Sequence, residues 1–241
     1  MKVQNYKRDG AISYALGVTV TIELLLRRPE RVLSVLLHSA LTDGDGYRRI
    51  QSLCAERGIP VEVNDKAFRI LSQKENCYAI GVFEKYEDPP RPGQRQVLLV
   101  NPSNAGNLGT ILRTAAGFGL RDLSVILPAV DPFDPKSVRA SMGAFFSLHL
   151  GIYESFARWR EDFPTLPCFP FMLTASRPLQ RIIFPDPCAL VFGNEASGLP
   201  EAFAHEGQPV IIPHGDAIDS LNLPTAVGIA LYELTKADWS K

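Results

Sequence analysis

The chain has 241 residues, 46% of them hydrophobic and 21% charged, with a formal net charge of −1 and a pI near 6.4. This is the composition of an ordinary soluble globular protein, and its balance of charge means that any nucleic-acid site must be a local patch. Cys54, Cys77, Cys168 and Cys188 form no Cys-x-x-Cys pair, which argues against a zinc site or a disulfide framework and for reduced cysteines in a cytoplasmic protein.

Residues 1–13 carry charges but no apolar core, so no signal peptide is expected. The most apolar early run, 15–26, is too short for a membrane span and contains Glu23. Apolar runs and turn residues then predict a strand at 32–37, a helix at 46–57, a strand at 60–63, a helix at 66–72 and a strand at 79–84. Such alternation indicates a small α/β domain over residues 1–88. Three prolines and a glycine within 87–94 predict an extended linker over 89–95. A second domain, 96–241, follows, with short buried strands at 96–100, 123–127, 169–174, 189–192 and 209–212, as in a parallel sheet. Its helices fit 107–118, 136–145 and 223–236, the last with an apolar stripe at 223, 226, 227, 230, 231 and 234.

Three segments of the second domain carry candidate chemistry. They are Asn101-Pro-Ser-Asn-Ala-Gly-Asn107-Leu-Gly-Thr-Ile-Leu-Arg113, then Gly193-Asn-Glu195-Ala-Ser-Gly198, then Ile212-Pro-His-Gly-Asp-Ala-Ile-Asp-Ser220-Leu221-Asn222. Each is a strand end entering a Gly- or amide-rich turn, and several such turns at one sheet edge build a backbone-lined pocket. In the first helix Leu108, Ile111, Leu112 and Ala115 form the buried face and Gly119 the stop. Arg113 points elsewhere, flanked by Gly109, Thr110 and Gly117. Asn104 or Asn107 suits the helix N-cap. The second segment spaces its glycines as a phosphate loop does, but Leu199-Pro200 stands where Lys-Ser/Thr is required. In the third, Gly215 permits a sharp turn, Ser220 and Asn222 either cap the last helix or hold a ligand, and Pro224 suits its first turn.

Together the three segments resemble those of the SpoU group of SPOUT RNA methyltransferases. Asn107 and Arg113 match the group's first motif, Gly193 and Glu195 its second, and Ile212, Ser220, Leu221 and Asn222 its third. Val138-Arg-Ala-Ser-Met-Gly143-Ala is also similar to a segment of that family, and the resemblance covers about 96–236. Departures are His214 and Leu223-Pro224. Residues 12–85 resemble the ribosomal-protein-like RNA-binding domain that often precedes this fold.

The resemblance implies a SPOUT-type parallel sheet with a carboxyl-terminal trefoil knot, one of the rare exceptions to unthreaded topology. It further implies S-adenosylmethionine as cofactor, no metal, no membrane, and a homodimer whose active site draws on both subunits. The expected reaction is methylation of a ribose 2′-hydroxyl in ribosomal or transfer RNA. Arginine stays protonated at ordinary pH, so Arg113 is expected to steady a phosphate and the developing oxyanion. By the same resemblance Asn107, Glu195, Ser220 and Asn222 are expected to position RNA and that guanidinium, and main-chain groups of Gly193, Ile212 and Leu221 to cradle the adenosyl part. RNA contacts are expected at Arg27, Arg28 and Arg31, at Arg48 and Arg49, and at Arg91 and Arg95. The competing readings are a SPOUT-fold RNA binder without catalysis and a base methyltransferase of the same superfamily.

Overall fold

In the computed structural model, which describes residues 4–72 and 76–239, the apolar runs ahead of the proline-rich segment form a four-stranded sheet. Its elements are β1 (Ile12–Leu16), α1 (Val18–Arg27), β2 (Val32–Leu37), α2 (Asp45–Arg57), β3 (Val61–Val63), α3 (Asp65–Leu71) and β4 (Ala79–Glu84). The strand order is β1-β4-β2-β3, with β2 and β3 parallel and the other pairs antiparallel. Successive side chains of a strand face opposite ways. Val35, Leu37 and Ala79 accordingly join one core with α1 and α2, while Leu36, Ile80 and Val82 join another with Phe68 of α3. The apolar run 15–26, which periodicity alone left unassigned, holds the end of β1 and most of α1. Gly17, at φ 111°, divides it into a strand and a helix, a conformation only glycine adopts freely.

The second sheet is built from β5 (Gln96–Val100), α4 (Ala105–Gly117), β6 (Asp122–Ile126), β7 (His149–Tyr153), α6 (Phe156–Asp162), β8 (Cys168–Pro170), β9 (Ala189–Phe192) and α7 (Leu223–Thr235), with α5 (Pro135–Ala140) between β6 and β7 in the chain. Its order is β7-β6-β5-β9-β8, parallel throughout. Leu98, Val100, Ile126, Ala189 and Val191 pack with Trp159, Phe163 and Phe203 on one face. The alternate residues Val97, Leu99, Val125, Leu190 and Phe192 are equally buried on the other, where α7 packs on β9 and α4 on α7. From β5 the chain steps outward to β6 and β7, then crosses to β8 and returns through β9 beside β5. The strand order therefore reverses between β5 and β9, where open α/β sheets place their ligands.

Two compact units result, Met1–Tyr86 with Asp131–Ser147, and Glu87–Val130 with Leu148–Lys241. The observed division departs from one at 88 and 96 by the segment carrying α5, which belongs to the first unit. There Ser13 Oγ donates to the Phe133 carbonyl at 2.5 Å, Arg28 Nε to the Phe146 carbonyl at 3.0 Å, and the Phe83 and Phe146 rings meet edge-on. The helix expected over 136–145 stops at Ala140, because Met142 turns to φ 53° ahead of a short 3-10 turn at Ala144–Ser147.

The proline-rich segment is tied down rather than free. Asp88 meets His149 Nδ1 at 2.8 Å and pairs with Leu150, and Arg91 is bidentate on the buried Asp122. Sequence periodicity missed β7 and α6, whose apolar residues are too few for a clear repeat. The strands expected at 169–174 and 209–212 are also corrected. The first ends at Pro170, and the second reduces to single bridges at Val210 and Ile211. These two residues are hydrogen-bonded on one side to 170–172 and on the other to 177–179, so neither side builds a continuous ladder.

Candidate functional site

The first motif begins where β5 ends. Asn101 adopts φ 54° and turns the chain, a left-handed conformation that asparagine tolerates better than most residues. Asn104 is the N-cap of α4, its Oδ1 accepting from the Gly106 and Asn107 N–H groups at 2.8 and 3.0 Å. Leu108, Ile111, Leu112 and Ala115 are buried as expected, and Gly119 follows the helix at φ 80°. Arg113 is exposed on α4 and makes no hydrogen bond or ion pair among the described residues.

The second motif begins where β9 ends. Gly193 is a close-approach glycine, but what approaches is its own loop. A Cβ there would lie 2.1 Å from the Gly198 carbonyl carbon and 2.3 Å from the Leu199 nitrogen. Asn194 closes that loop by exchanging main-chain hydrogen bonds with Gly198. Its side chain accepts from the Ala196 and Ser197 N–H groups and donates to the Asn101 carbonyl at 2.8 Å.

Glu195 reaches the first motif too. Its Oε2 accepts from the Ser103 N–H (3.0 Å) and hydroxyl (2.8 Å), and its Oε1 from the Asn104 N–H (3.1 Å) and Asn107 Nδ2 (3.2 Å). Burial pushes this carboxyl up, but the Ser103 donors, its own N–H and Asn107 outweigh it and hold the group below the usual glutamate value.

A cleft of about 190 Å³ opens beside this loop, lined by Gly193 to Gly198, by Ile212, His214, Ser220 and Leu221 of the third motif, and by the apolar Phe171, Phe192, Leu223 and Ala226. The third motif is irregular. Among the described residues the main-chain groups of Ile212, Ser220 and Leu221 make no hydrogen bond within the protein. Gly215 stands directly before a turn at 216–217, as expected, with open space around it and without a left-handed φ. Asn222 occupies the N-cap position of α7 without a capping side-chain bond, and Pro224 lies in the first turn.

The structure thus brings Gly193, Glu195, Ile212, Ser220 and Leu221 into one cleft and ties Asn107 to it through Glu195. Arg113 and Asn222 do not line the cleft. Sequence reasoning missed Ser103, Asn194, His214 and Ala226. The first two left a recognisable signal, since short polar side chains at strand ends often bond nearby main chain. Ala226 left none, because facing the cleft depends on how α7 packs.

Most of the arginines singled out for RNA have partners. Arg27 meets Glu23 at 3.5 Å, and Arg48 pairs with Asp43 and Asp45. Arg28 and Arg31 stack over Tyr86, with centroid distances of 4.8 and 5.9 Å. Arg91 neutralises Asp122, and Arg95 holds Asp186 and Asp238. Arg49 alone of the seven is exposed without a partner among the described residues.

Comparison with known proteins places residues 94–232 under the model of the SpoU rRNA methylase family. The chain is 29% identical over 217 residues to an uncharacterized tRNA/rRNA methyltransferase of Synechocystis sp., covering 88% of this chain and 72% of that one. It is 32% identical over 160 residues to a 23S rRNA (uridine-2′-O)-methyltransferase of Streptomyces viridochromogenes, covering 61% and 54%. The crystal structure of an AdoMet-bound rRNA methyltransferase from Sinorhizobium meliloti superposes with a TM-score of 0.77 at 28% identity, covering 95% of this chain and 89% of that one. Among the described residues no helix is long and apolar enough to cross a membrane.

Proposed function

The chain belongs to the SpoU rRNA methylase family, and on that basis we propose that it transfers the methyl group of S-adenosylmethionine to a ribose 2′-hydroxyl of ribosomal or transfer RNA. The observation that carries this reading is the cleft at the carboxyl ends of β8 and β9, apolar in its walls yet edged by main-chain groups at Ile212, Ser220 and Leu221 that are unpaired among the described residues. That combination fits an adenosyl group, with a flat apolar ring and a hydrogen-bonding rim. Gly193, Ile212 and Leu221 would hold it. S-adenosylmethionine supplies an electrophilic methyl group on a sulfonium centre.

The protein's own residues then have to place the acceptor hydroxyl and steady the negative charge that grows on its oxygen. Arg113 is the group for both tasks, because its planar fork can hold a phosphate and an oxygen together. Ser220 and Asn222 lie at the mouth of α7, where they would orient the ribose. Glu195 acts at one remove, through Asn107 and the start of α4. Arg113 does not line the cleft of its own chain, which favours a homodimer in which each arginine serves its partner's cofactor.

A surface suited to such a dimer is present on α7 and the segment after it. Tyr232 and Trp239 are 61% and 62% exposed, Ile229 is exposed as well, and Phe118 lies edge-on to Tyr232. An exposed aromatic patch of this kind usually marks an interface. Tyr232→Glu combined with Trp239→Glu should convert dimer to monomer in sedimentation velocity. A wild-type protein that sediments as a monomer at micromolar concentration would remove the dimer from this account.

The trefoil knot is part of the same reading. Its support is the clasp around Val210 and Ile211, whose two sides are held by both arms of the 170–179 loop.

For the first unit we propose RNA substrate binding, through local charge rather than the acidic bulk of the chain. Arg49→Glu should weaken binding of transcribed ribosomal and transfer RNA and flatten its salt dependence. Arg91→Ala should instead lower stability, by roughly 1–3 kcal/mol for the buried acceptor left at Asp122, with RNA affinity little changed. Equal losses of RNA affinity in both would assign a direct contact to Arg91.

The reading as a whole is tested by titrating S-adenosylmethionine into the protein and then mapping ribose methylation in cells with and without the gene. Loss of a specific 2′-O-methyl group is expected. Methylation of a base nitrogen, or cofactor binding without transfer, would overturn it.

A further inference from the structure

The second motif is fastened to the first by two consecutive side chains. Asn194 donates to the carbonyl of Asn101, and Glu195 takes four donors from Ser103, Asn104 and Asn107. Ser103 supplies two of those four, N–H and hydroxyl on the same oxygen. No charged side chain occurs from Asn101 to Leu112, and Glu195 is the one charge from Gly193 to Pro200. The other titratable side chain lining the cleft, His214, bonds toward the Gly215 carbonyl. The carboxylate is therefore held by hydrogen bonds alone, two of them from main-chain N–H groups at the start of α4, where a helix dipole also favours negative charge. Hydrogen bonds to an ionised acceptor are about twice as strong as neutral ones.

We propose that Ser103 is a positioning residue for the cofactor cleft: by donating both its N–H and its hydroxyl to Glu195, it locks the 193–199 loop onto the start of α4. The wall of the cleft and the helix carrying Arg113 then form one preorganised piece, and the cofactor does not have to order the loop when it binds. The proposal rests on reading this cleft as the S-adenosylmethionine site. It predicts a pH dependence with a definite sign. Glu195 is held below its usual value, so the lock is complete above the ordinary glutamate range and is lost as the pH falls through the depressed value. Removing the Ser103 hydroxyl raises that value, so the loss begins at a higher pH.

The test is titration of S-adenosylmethionine into full-length wild-type, Ser103→Ala, Ser103→Thr and Glu195→Gln proteins from pH about 8 to about 4, which spans the ordinary glutamate range. The series is repeated in a His214→Asn background, which removes the other titrating group of the cleft. Thermal melting is recorded beside each titration. Ser103→Ala should bind about tenfold more weakly at neutral pH, with its acid loss displaced upward in both backgrounds and its melting temperature near wild type. Ser103→Thr should restore affinity and profile, and Glu195→Gln should bind weakly with a flattened acid limb. Wild-type affinity and profile in Ser103→Ala would overturn the proposal, as would weaker binding with an unmoved profile and a lowered melting temperature. Wild-type affinity in Glu195→Gln would overturn it independently. Failure of the wild type itself to bind the cofactor is a different result, which strikes the cofactor reading and this proposal with it.

Discussion

Arg113→Ala should lower methyl transfer by about 10²–10³-fold, the usual effect of removing a preorganised donor from a developing oxyanion. Cofactor affinity and melting temperature should stay close to wild type. Arg113 is exposed, has no partner among the described residues and does not line the cleft, so its loss opens no cavity and orphans no buried charge. Arg113→Lys should fail almost as badly, because a compact ammonium cannot reproduce the two-pronged contact with phosphate and hydroxyl.

A mixing experiment separates action within one subunit from action across a dimer. Arg113→Ala protein retains its cleft, and Ala226→Phe protein retains its arginine. If the arginine serves the partner, mixed dimers hold one complete site, and random mixing restores about a quarter of wild-type activity in a two-fold dimer. If it serves its own chain, mixing restores nothing. A stable Arg113→Ala protein with normal turnover would remove the arginine from catalysis altogether.

Gly193→Val should abolish S-adenosylmethionine binding, for a more local reason than collision with a ligand. The added Cβ would overlap the main chain of Gly198 and Leu199. The loop must then move, and the hydrogen bonds of Asn194 and Glu195 to the first motif go with it. Loss of binding in this variant cannot separate a filled cleft from a displaced loop. Ala226→Phe makes that distinction, since Ala226 lines the cleft from α7 and its enlargement fills the space from the opposite side. Both variants should lose the cofactor in calorimetric titration, while only Gly193→Val should lose loop order, read as faster amide exchange at Ser103 and Asn104. Full affinity in a folded Ala226→Phe protein would place the adenosyl group outside this cleft.

Strong local signals allowed some elements to be read from the chain directly. Residues 32–37, 79–84, 96–100 and 189–192 are short, mostly apolar runs, and each is a strand with those bounds. The stripe of α7 and the buried face of α4 follow from helical spacing, which depends on nearby residues alone. The family's order of motifs was legible for the same reason, since each motif is a contiguous stretch at a strand end.

What stayed hidden were features set by residues far apart in the chain. That Asp131–Ser147 joins the first unit depends on Ser13, Arg28 and Phe83 meeting Phe133 and Phe146. That Glu195 serves Ser103 and Asn104, rather than standing free at the sheet edge, depends on β5 and β9 lying side by side. That six of the seven arginines are already engaged was equally invisible, because their partners include Tyr86, Asp122, Asp186 and Asp238. Local spacing determined which residues could do chemistry here. Strand order, which only non-local hydrogen bonds and packing select, decided which of them meet.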